Sequence, residues 1–85
     1  MAAPIHVVLY SRPACGLCDR AREVLEAQRA KTPFALQEID ISGSDDLERE
    51  FGLRIPVVLV DGRERFEVEV DPAELADLLA DPASG

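Results

Sequence analysis

The pattern that most constrains the fold is a change of hydrophobic period in the first half of the chain. Residues 5–10 form an apolar run rich in β-branched and aromatic side chains, which is typical of a largely buried strand. From Gly16 to Ala30 apolar residues recur at helical spacing, and residues 34–41 resemble a second, weaker strand. A strand, a helix and a strand in this order favour a parallel pair with a right-handed crossover.

The middle of the sequence adds a short helix and a hairpin. Ser44 or Asp45 is a candidate N-cap for a helix that stops at Gly52. Pro56 then opens the apolar run of residues 57–60, and Asp61-Gly62 is a strong signal for a two-residue hairpin turn. On the returning strand apolar and acidic residues alternate, which predicts a strand with one solvated face: Phe66, Glu67, Val68, Glu69 and Val70.

A third helix is predicted at the end of the chain. Asp71 is a candidate N-cap, Pro72 suits the first helical position, and Glu74 completes a capping box before a leucine-rich turn. We expect Pro82 to follow the end of this helix and residues 81–85 to fray. The predicted fold class is therefore α/β in the order βαβαββα, with a four-stranded mixed sheet flanked by three helices.

Size and charge limit the classes of function. The 85 residues predict one domain over 1–85, with its core between about 5 and 80. The longest apolar run, residues 55–60, is too short for a membrane span, and Met1 begins no signal-peptide pattern, so we expect a cytoplasmic monomer. The formal charge of -8 would repel phosphate, so we expect neither nucleic acid nor membrane as a partner.

The two cysteines, Cys15 and Cys18, lie at the predicted mouth of the first helix. A disulfide between them would close a loop of only two intervening residues, so it would remove little conformational freedom from the unfolded chain and stabilise the fold only slightly. Residues three apart share a helix face, and the helix N-terminus favours a thiolate at Cys15, an effect that Arg12 should reinforce and Asp19 oppose. Cys18, one turn deeper, should be less exposed. This asymmetry predicts thiol–disulfide exchange with Cys15 as nucleophile and Cys18 as the resolving thiol.

Three segments together resemble a glutaredoxin-like member of the thioredoxin superfamily: LYSRPACGLC, RIPVVLVDG and FEVEVDPAEL. The resemblance implies a thioredoxin-like fold of the glutaredoxin type and a dithiol oxidoreductase that reduces protein or small-thiol mixed disulfides. It implies further that Pro56 follows a cis peptide bond and that the backbone of Ile55 pairs with an extended substrate. Arg12 matches a basic residue implicated in holding a glutathione carboxylate.

This sequence departs from typical glutaredoxins at two places. Residues 67–71 lack the usual Gly-Gly pair, and Leu17 stands where an aromatic residue is common. The electron donor is therefore left open between glutathione, another low-molecular-weight thiol and a flavin-dependent reductase. We expect no tightly bound cofactor, with glutathione or a similar thiol as a candidate co-substrate.

Other residues near the cysteines are candidate substrate contacts with an ordinary structural alternative. Gly16 would let a substrate backbone approach closely, Tyr10 would line the groove or pack in the core, and Arg54 would steer an anionic thiol or remain a solvated arginine. Leu17 is included among the binding candidates. We expect a structural or surface role for His6, since no triad or zinc set surrounds it in the sequence.

Two other functions use the same residues. Two cysteines leave any metal short of ligands, so an iron–sulfur or zinc module would need a dimer or external thiols. Alternatively, the chain is a non-catalytic adaptor in which the pair only packs.

Overall fold

The structure, a computed structural model, describes residues 4–80, so the predicted fraying of residues 81–85 and the place of Pro82 lie outside the described residues. Within that range the elements follow the predicted order. They are β1 (His6–Ser11), α1 (Gly16–Lys31), β2 (Ala35–Asp40), a 3-10 turn (Ile41–Gly43), α2 (Asp45–Phe51), β3 (Val57–Val60), β4 (Arg63–Glu67) and α3 (Pro72–Ala80).

The four described strands form one mixed sheet in the order β2-β1-β3-β4. β1 and β2 run parallel, with His6 opposite Ala35 and Ser11 opposite Asp40. β3 is antiparallel to both β1 and β4. The predicted parallel pair and hairpin are therefore both present, and β1 and β3 occupy the centre of the sheet.

Two clusters of buried side chains lie on opposite faces of this sheet. The larger cluster joins the sheet to α1 and α3 and includes Leu9, Leu25, Val58 and Leu75. The smaller cluster includes Val57 and is closed by α2. Adjacent residues of a strand point to opposite faces, and this is why Val57 and Val58 belong to different clusters.

Local hydrogen bonds explain where the shorter helices begin and end. The Ser44 hydroxyl accepts from the Leu47 N–H at 3.2 Å, and the Asp71 carboxylate accepts from the Ala73 N–H at 2.9 Å, so both are N-caps. Gly52 ends α2 with an ordinary helical φ of −52°. Its glycine is required for space, because a Cβ there would collide with the Glu48 carbonyl oxygen.

The last strand is shorter than the sequence pattern predicts. β4 ends at Glu67, and the predicted continuation through Val70 is wrong. Val68 leaves the strand with φ of 70°, and its N–H donates to the carbonyl oxygens of Arg54 at 3.1 Å and Pro56 at 2.8 Å. These bonds turn the chain towards the loop before β3, so the alternation of residues 66–70 does not reflect a continuous ladder.

Candidate active site

A tight turn carries the chain from the end of β1 into α1. Ala14 in this turn has φ of 57°, a region that non-glycine residues seldom occupy. Cys15 then caps α1 through its sulfur, which accepts from the Cys18 N–H at 3.1 Å, while its carbonyl accepts from the Asp19 N–H at 3.0 Å. The Cys15 sulfur therefore lies where the free N–H groups and the positive end of the helix dipole favour negative charge.

Cys15 and Cys18 are joined as a disulfide, with their Cα atoms 5.2 Å apart. Cys18 is fully buried, whereas Cys15 is partly exposed. The two sulfurs thus differ in exposure in the predicted direction. An external thiol or disulfide can approach Cys15 but has no path to Cys18.

The loop before β3 lies beside the end of β1, because Val57 pairs with Tyr10 across the sheet. The Ile55–Pro56 peptide bond is cis, and Pro56 is buried. The carbonyls on either side of Ile55, those of Arg54 and Pro56, are both occupied by the Val68 N–H. Within residues 4–80 the N–H and carbonyl of Ile55 itself have no hydrogen-bond partner. They are free to pair with an added strand.

Arg12 lies in the turn before Cys15, but its charge is already engaged. Its guanidinium forms an ion pair with the Glu48 carboxylate of α2. The Arg12 Nε is buried without a hydrogen-bond partner in the described part of the chain. The structure therefore couples Arg12 to α2, a contact that the sequence pattern did not indicate.

Tyr10 and Arg54 belong to a stacked arrangement on the α2 side of the sheet. The Tyr10 ring stacks on Phe51 with 4.2 Å between centroids, and the Arg54 guanidinium lies 5.4 Å from the Phe51 centroid. Arg54 also binds the carboxylates of Glu64 at 2.6 Å and Glu67 at 3.1 Å, and these bonds raise its pKa. Tyr10 thus packs in the smaller core, and Arg54 is neutralised by two carboxylates.

A polar network below the turn was missed at the sequence level. The Ser11 hydroxyl, which is buried, donates to the Glu38 carboxylate at 2.7 Å, and Arg22 of α1 binds the same carboxylate through two nitrogens. The hydrogen bonds from Arg22, and to a lesser degree that from Ser11, lower the pKa of Glu38. The signal that could have indicated a partner for Ser11 was Glu38, a charged residue within the predicted strand of residues 34–41.

Gly16 and Leu17 lie on the exposed side of the cysteine pair. A Cβ on Gly16 would meet no atom within 4 Å, so open space lies above it. Leu17 is 43% exposed and contributes to a groove of about 230 Å³ between α1 and residues 68–70. The other lining residues are Arg20, Ala21, Val24, Val68, Glu69 and Val70. The helical spacing of α1 and the alternation of residues 66–70 did not predict this groove, because it forms only where α1 faces the residues after β4.

Residues 4–80 contain no group of three or more metal-ligating side chains, and none of the helices described is long and apolar enough to cross a membrane. The side chain of His6 is exposed, and its backbone N–H donates to the Asp61 carboxylate at 2.9 Å.

Comparison with known proteins assigns the family. A family model described as Glutaredoxin-like domain (DUF836) matches residues 6–80. The chain belongs to this glutaredoxin-like family. An uncharacterized protein of Mycobacterium tuberculosis is 39% identical to this glutaredoxin-like domain over 74 residues, which cover 81% of the chain and 76% of that protein.

Solved structures agree with the assignment. The solution structure of a Nitrosomonas europaea protein superposes with a TM-score of 0.79 at 27% identity and covers 93% of this chain and 95% of its own. A mutant thioredoxin of Halobacterium salinarum gives a TM-score of 0.65 at 26% identity, with coverage of 89% of this chain and 72% of its own. The predicted resemblance and the thioredoxin-like fold are both confirmed.

Proposed function

We propose that this glutaredoxin-like domain is a thiol–disulfide oxidoreductase that reduces protein or small-thiol mixed disulfides in the cytoplasm, acting as a monomer. The observation that carries the proposal is the sulfur cap at α1, where Cys15 accepts a hydrogen bond from Cys18 N–H at 3.1 Å while Cys18 itself is buried. This arrangement favours a thiolate at one cysteine and protects the other from solvent.

The exchange proceeds in two steps. In the reduced protein the Cys15 thiolate attacks a substrate disulfide, forms a mixed disulfide with one substrate sulfur and releases the other as a thiolate. The Cys18 thiol then loses its proton and attacks the Cys15 sulfur. The Cys15–Cys18 disulfide forms, the second substrate thiolate leaves, and two electrons have passed from the protein to the substrate.

The free backbone groups of Ile55 supply the orientation for this reaction. An extended substrate segment that pairs with them would lie as an added strand beside the exposed side of Cys15. Gly16 leaves that approach open, since no atom lies where its Cβ would be. Two electrons from a glutathione-type thiol or a flavin-dependent reductase then restore the dithiol.

Two single substitutions test the roles of the cysteines. Cys15→Ser should abolish reduction of a peptide disulfide, because the attacking sulfur is gone. Cys18→Ser should halt after the first step and accumulate a mixed disulfide on Cys15, visible as the added peptide mass in intact-protein mass spectrometry. Matching thermal unfolding curves of the two reduced variants would verify that both remain folded. Full turnover by the Cys15→Ser protein would overturn the proposal.

The same preparations identify the electron donor and test for a metal centre. Turnover is compared with glutathione plus its reductase and with a thioredoxin reductase system. Alkylation of Cys15 against pH should report a pKa below the ordinary thiol value of about 8.5. An alkylation midpoint no lower than that of a free peptide thiol would contradict the role given to the helix N-terminus. A visible absorption band in anaerobically purified protein would favour an iron–sulfur module instead.

A further inference from the structure

We propose that the substrate disulfide of this glutaredoxin-like domain belongs to an extended protein segment with an apolar side chain and a basic side chain close to its cysteine. This inference deepens the proposed function and rests on it. Its basis is the shape and charge of the groove between α1 and residues 68–70.

The groove includes Leu17 of the Cys-Gly-Leu-Cys segment and has an apolar floor. Leu17, between the two cysteines, and Val68, whose N–H is bonded to the Pro56 carbonyl, are each 43% exposed. Ala21, Val24 and Val70 complete the apolar lining. A volume of about 230 Å³ is enough for one or two side chains but small for a drug-sized ligand. The groove therefore has a suitable size for one side chain of a substrate segment whose backbone pairs with Ile55.

Beyond this floor the surface becomes acidic. Glu69 and Val70 also line an adjoining depression with further carboxylates, those of Glu67, Asp71 and Glu74. The side chains of Glu69 and Glu74 make no hydrogen bond or ion pair within residues 4–80, so both charges are available to a partner. Arg65 lies in the same depression, and Arg20 stands on the opposite wall of the groove.

The arginines that flank the disulfide do not balance these carboxylates. Arg12 is paired with Glu48, and Arg54 is bound by Glu64 and Glu67. Arg20 and Arg65 make no ion pair within residues 4–80, but the groove and the adjoining depression hold four carboxylates against these two arginines, on a protein of formal charge -8. A basic segment meets the unpaired carboxylates of Glu69 and Glu74, and long-range attraction would raise its rate of association.

Two synthetic disulfide peptides test the inference. They share a leucine next to the cysteine and differ only in whether lysines or glutamates flank that pair, and each is offered to the reduced wild-type protein. We expect kcat/KM for the lysine peptide to exceed that for the glutamate peptide by about tenfold at low ionic strength. The ratio should fall towards one at about 1 M salt, where the screening length is about 3 Å.

Charge variants locate the effect. Glu69→Gln and Glu74→Gln should each lower kcat/KM for the lysine peptide by about two- to fourfold, as expected for one charge a few ångströms away in water. Glu23→Gln makes the same charge change on the exposed face of α1, outside the groove, and should leave the rate unchanged. A third peptide has glycine in place of the leucine beside the cysteine of the lysine peptide. Leu17→Ser should reduce the ratio of kcat/KM for the leucine peptide to that for this glycine peptide.

The outcomes separate this inference from the function beneath it. Equal turnover of both peptides, or a glutathione disulfide reduced faster than the lysine peptide, would overturn the substrate class and leave the oxidoreductase standing. If none of the disulfides is reduced, the proposed function itself fails. A loss in Glu23→Gln equal to that in Glu69→Gln would show that net charge, and not the groove, sets the preference, which also overturns the inference.

Discussion

Replacing Val68 by glycine and by alanine tests whether the backbone after β4 is held in a conformation that its side chain opposes. Val68 has φ of 70° because its N–H is held by the Arg54 and Pro56 carbonyls. A left-handed conformation costs an L-residue about 1 to 2 kcal/mol. Glycine is free of that cost, but it loses about 0.5 to 1 kcal/mol relative to alanine through its greater freedom in the unfolded chain.

These terms predict that Val68→Gly is more stable than Val68→Ala by about 0.5 to 1 kcal/mol. Both variants lose most of the same side chain, so the burial lost on shortening Val68 nearly cancels between them. For a domain of this size the difference corresponds to about 2 to 8 °C in the unfolding midpoint. Thermal unfolding followed by circular dichroism, with the disulfide intact in every protein, measures it.

Val24 provides the matched control, since it is a partly buried valine of the same groove with helical geometry. There Val24→Gly should be less stable than Val24→Ala by about 1 kcal/mol. The order of the two variants is therefore expected to reverse between positions 24 and 68. If Val68→Gly is no more stable than Val68→Ala, the turn after β4 is not strained.

Three further substitutions probe the polar contacts. Arg22 lowers the pKa of Glu38 below its ordinary value of 4.5. The Glu38 carboxylate therefore stabilises the fold above pH 4.5, and this contribution is lost as the pH falls through the pKa that Glu38 has in the folded protein. Glu38→Gln should thus be less stable by about 0.2 to 1 kcal/mol at pH 7, and the difference should vanish in acid, as measured by thermal unfolding at a series of pH values. Ser44→Ala removes the cap of α2 and should lower the free energy of unfolding in urea by about 0.5 to 2 kcal/mol; an unchanged midpoint would contradict the cap. Glu48→Gln frees Arg12 and should lower KM for a glutathione disulfide several-fold, whereas an unaltered KM would show that the ion pair does not restrain Arg12.

Much of the fold was predictable because hydrophobic period and turn chemistry are local. The apolar run of β1 and the helical spacing of α1 indicated the first parallel pair, and Asp61-Gly62 indicated the hairpin. The location of Cys15 at a helix mouth followed in the same way, since a strand before it and a helix after it left few alternatives.

The features that sequence patterns missed depend on contacts between distant segments. β4 ends early because the Val68 N–H donates to the carbonyl oxygens of residues 54 and 56. The alternation of apolar and acidic side chains does not predict these hydrogen bonds. Likewise, the sequence gives no partner for the charge of Arg12, whereas in the structure Arg12 forms an ion pair with Glu48 of α2. Gly52 was predicted to stop α2, and the structure adds the reason that a Cβ there would collide with the Glu48 carbonyl oxygen.

The complete burial of Cys18 also bears on damage by peroxides. In the proposed mechanism a dissolved oxidant would meet Cys15 first and would convert its thiolate to a sulfenic acid. The Cys18 thiol, held one helical turn away, can then condense with that sulfenic acid, forming the disulfide and releasing water. The product is a disulfide, which a thiol reductant can reduce. Its formation prevents a second equivalent of oxidant from converting Cys15 to the irreversible sulfinic acid.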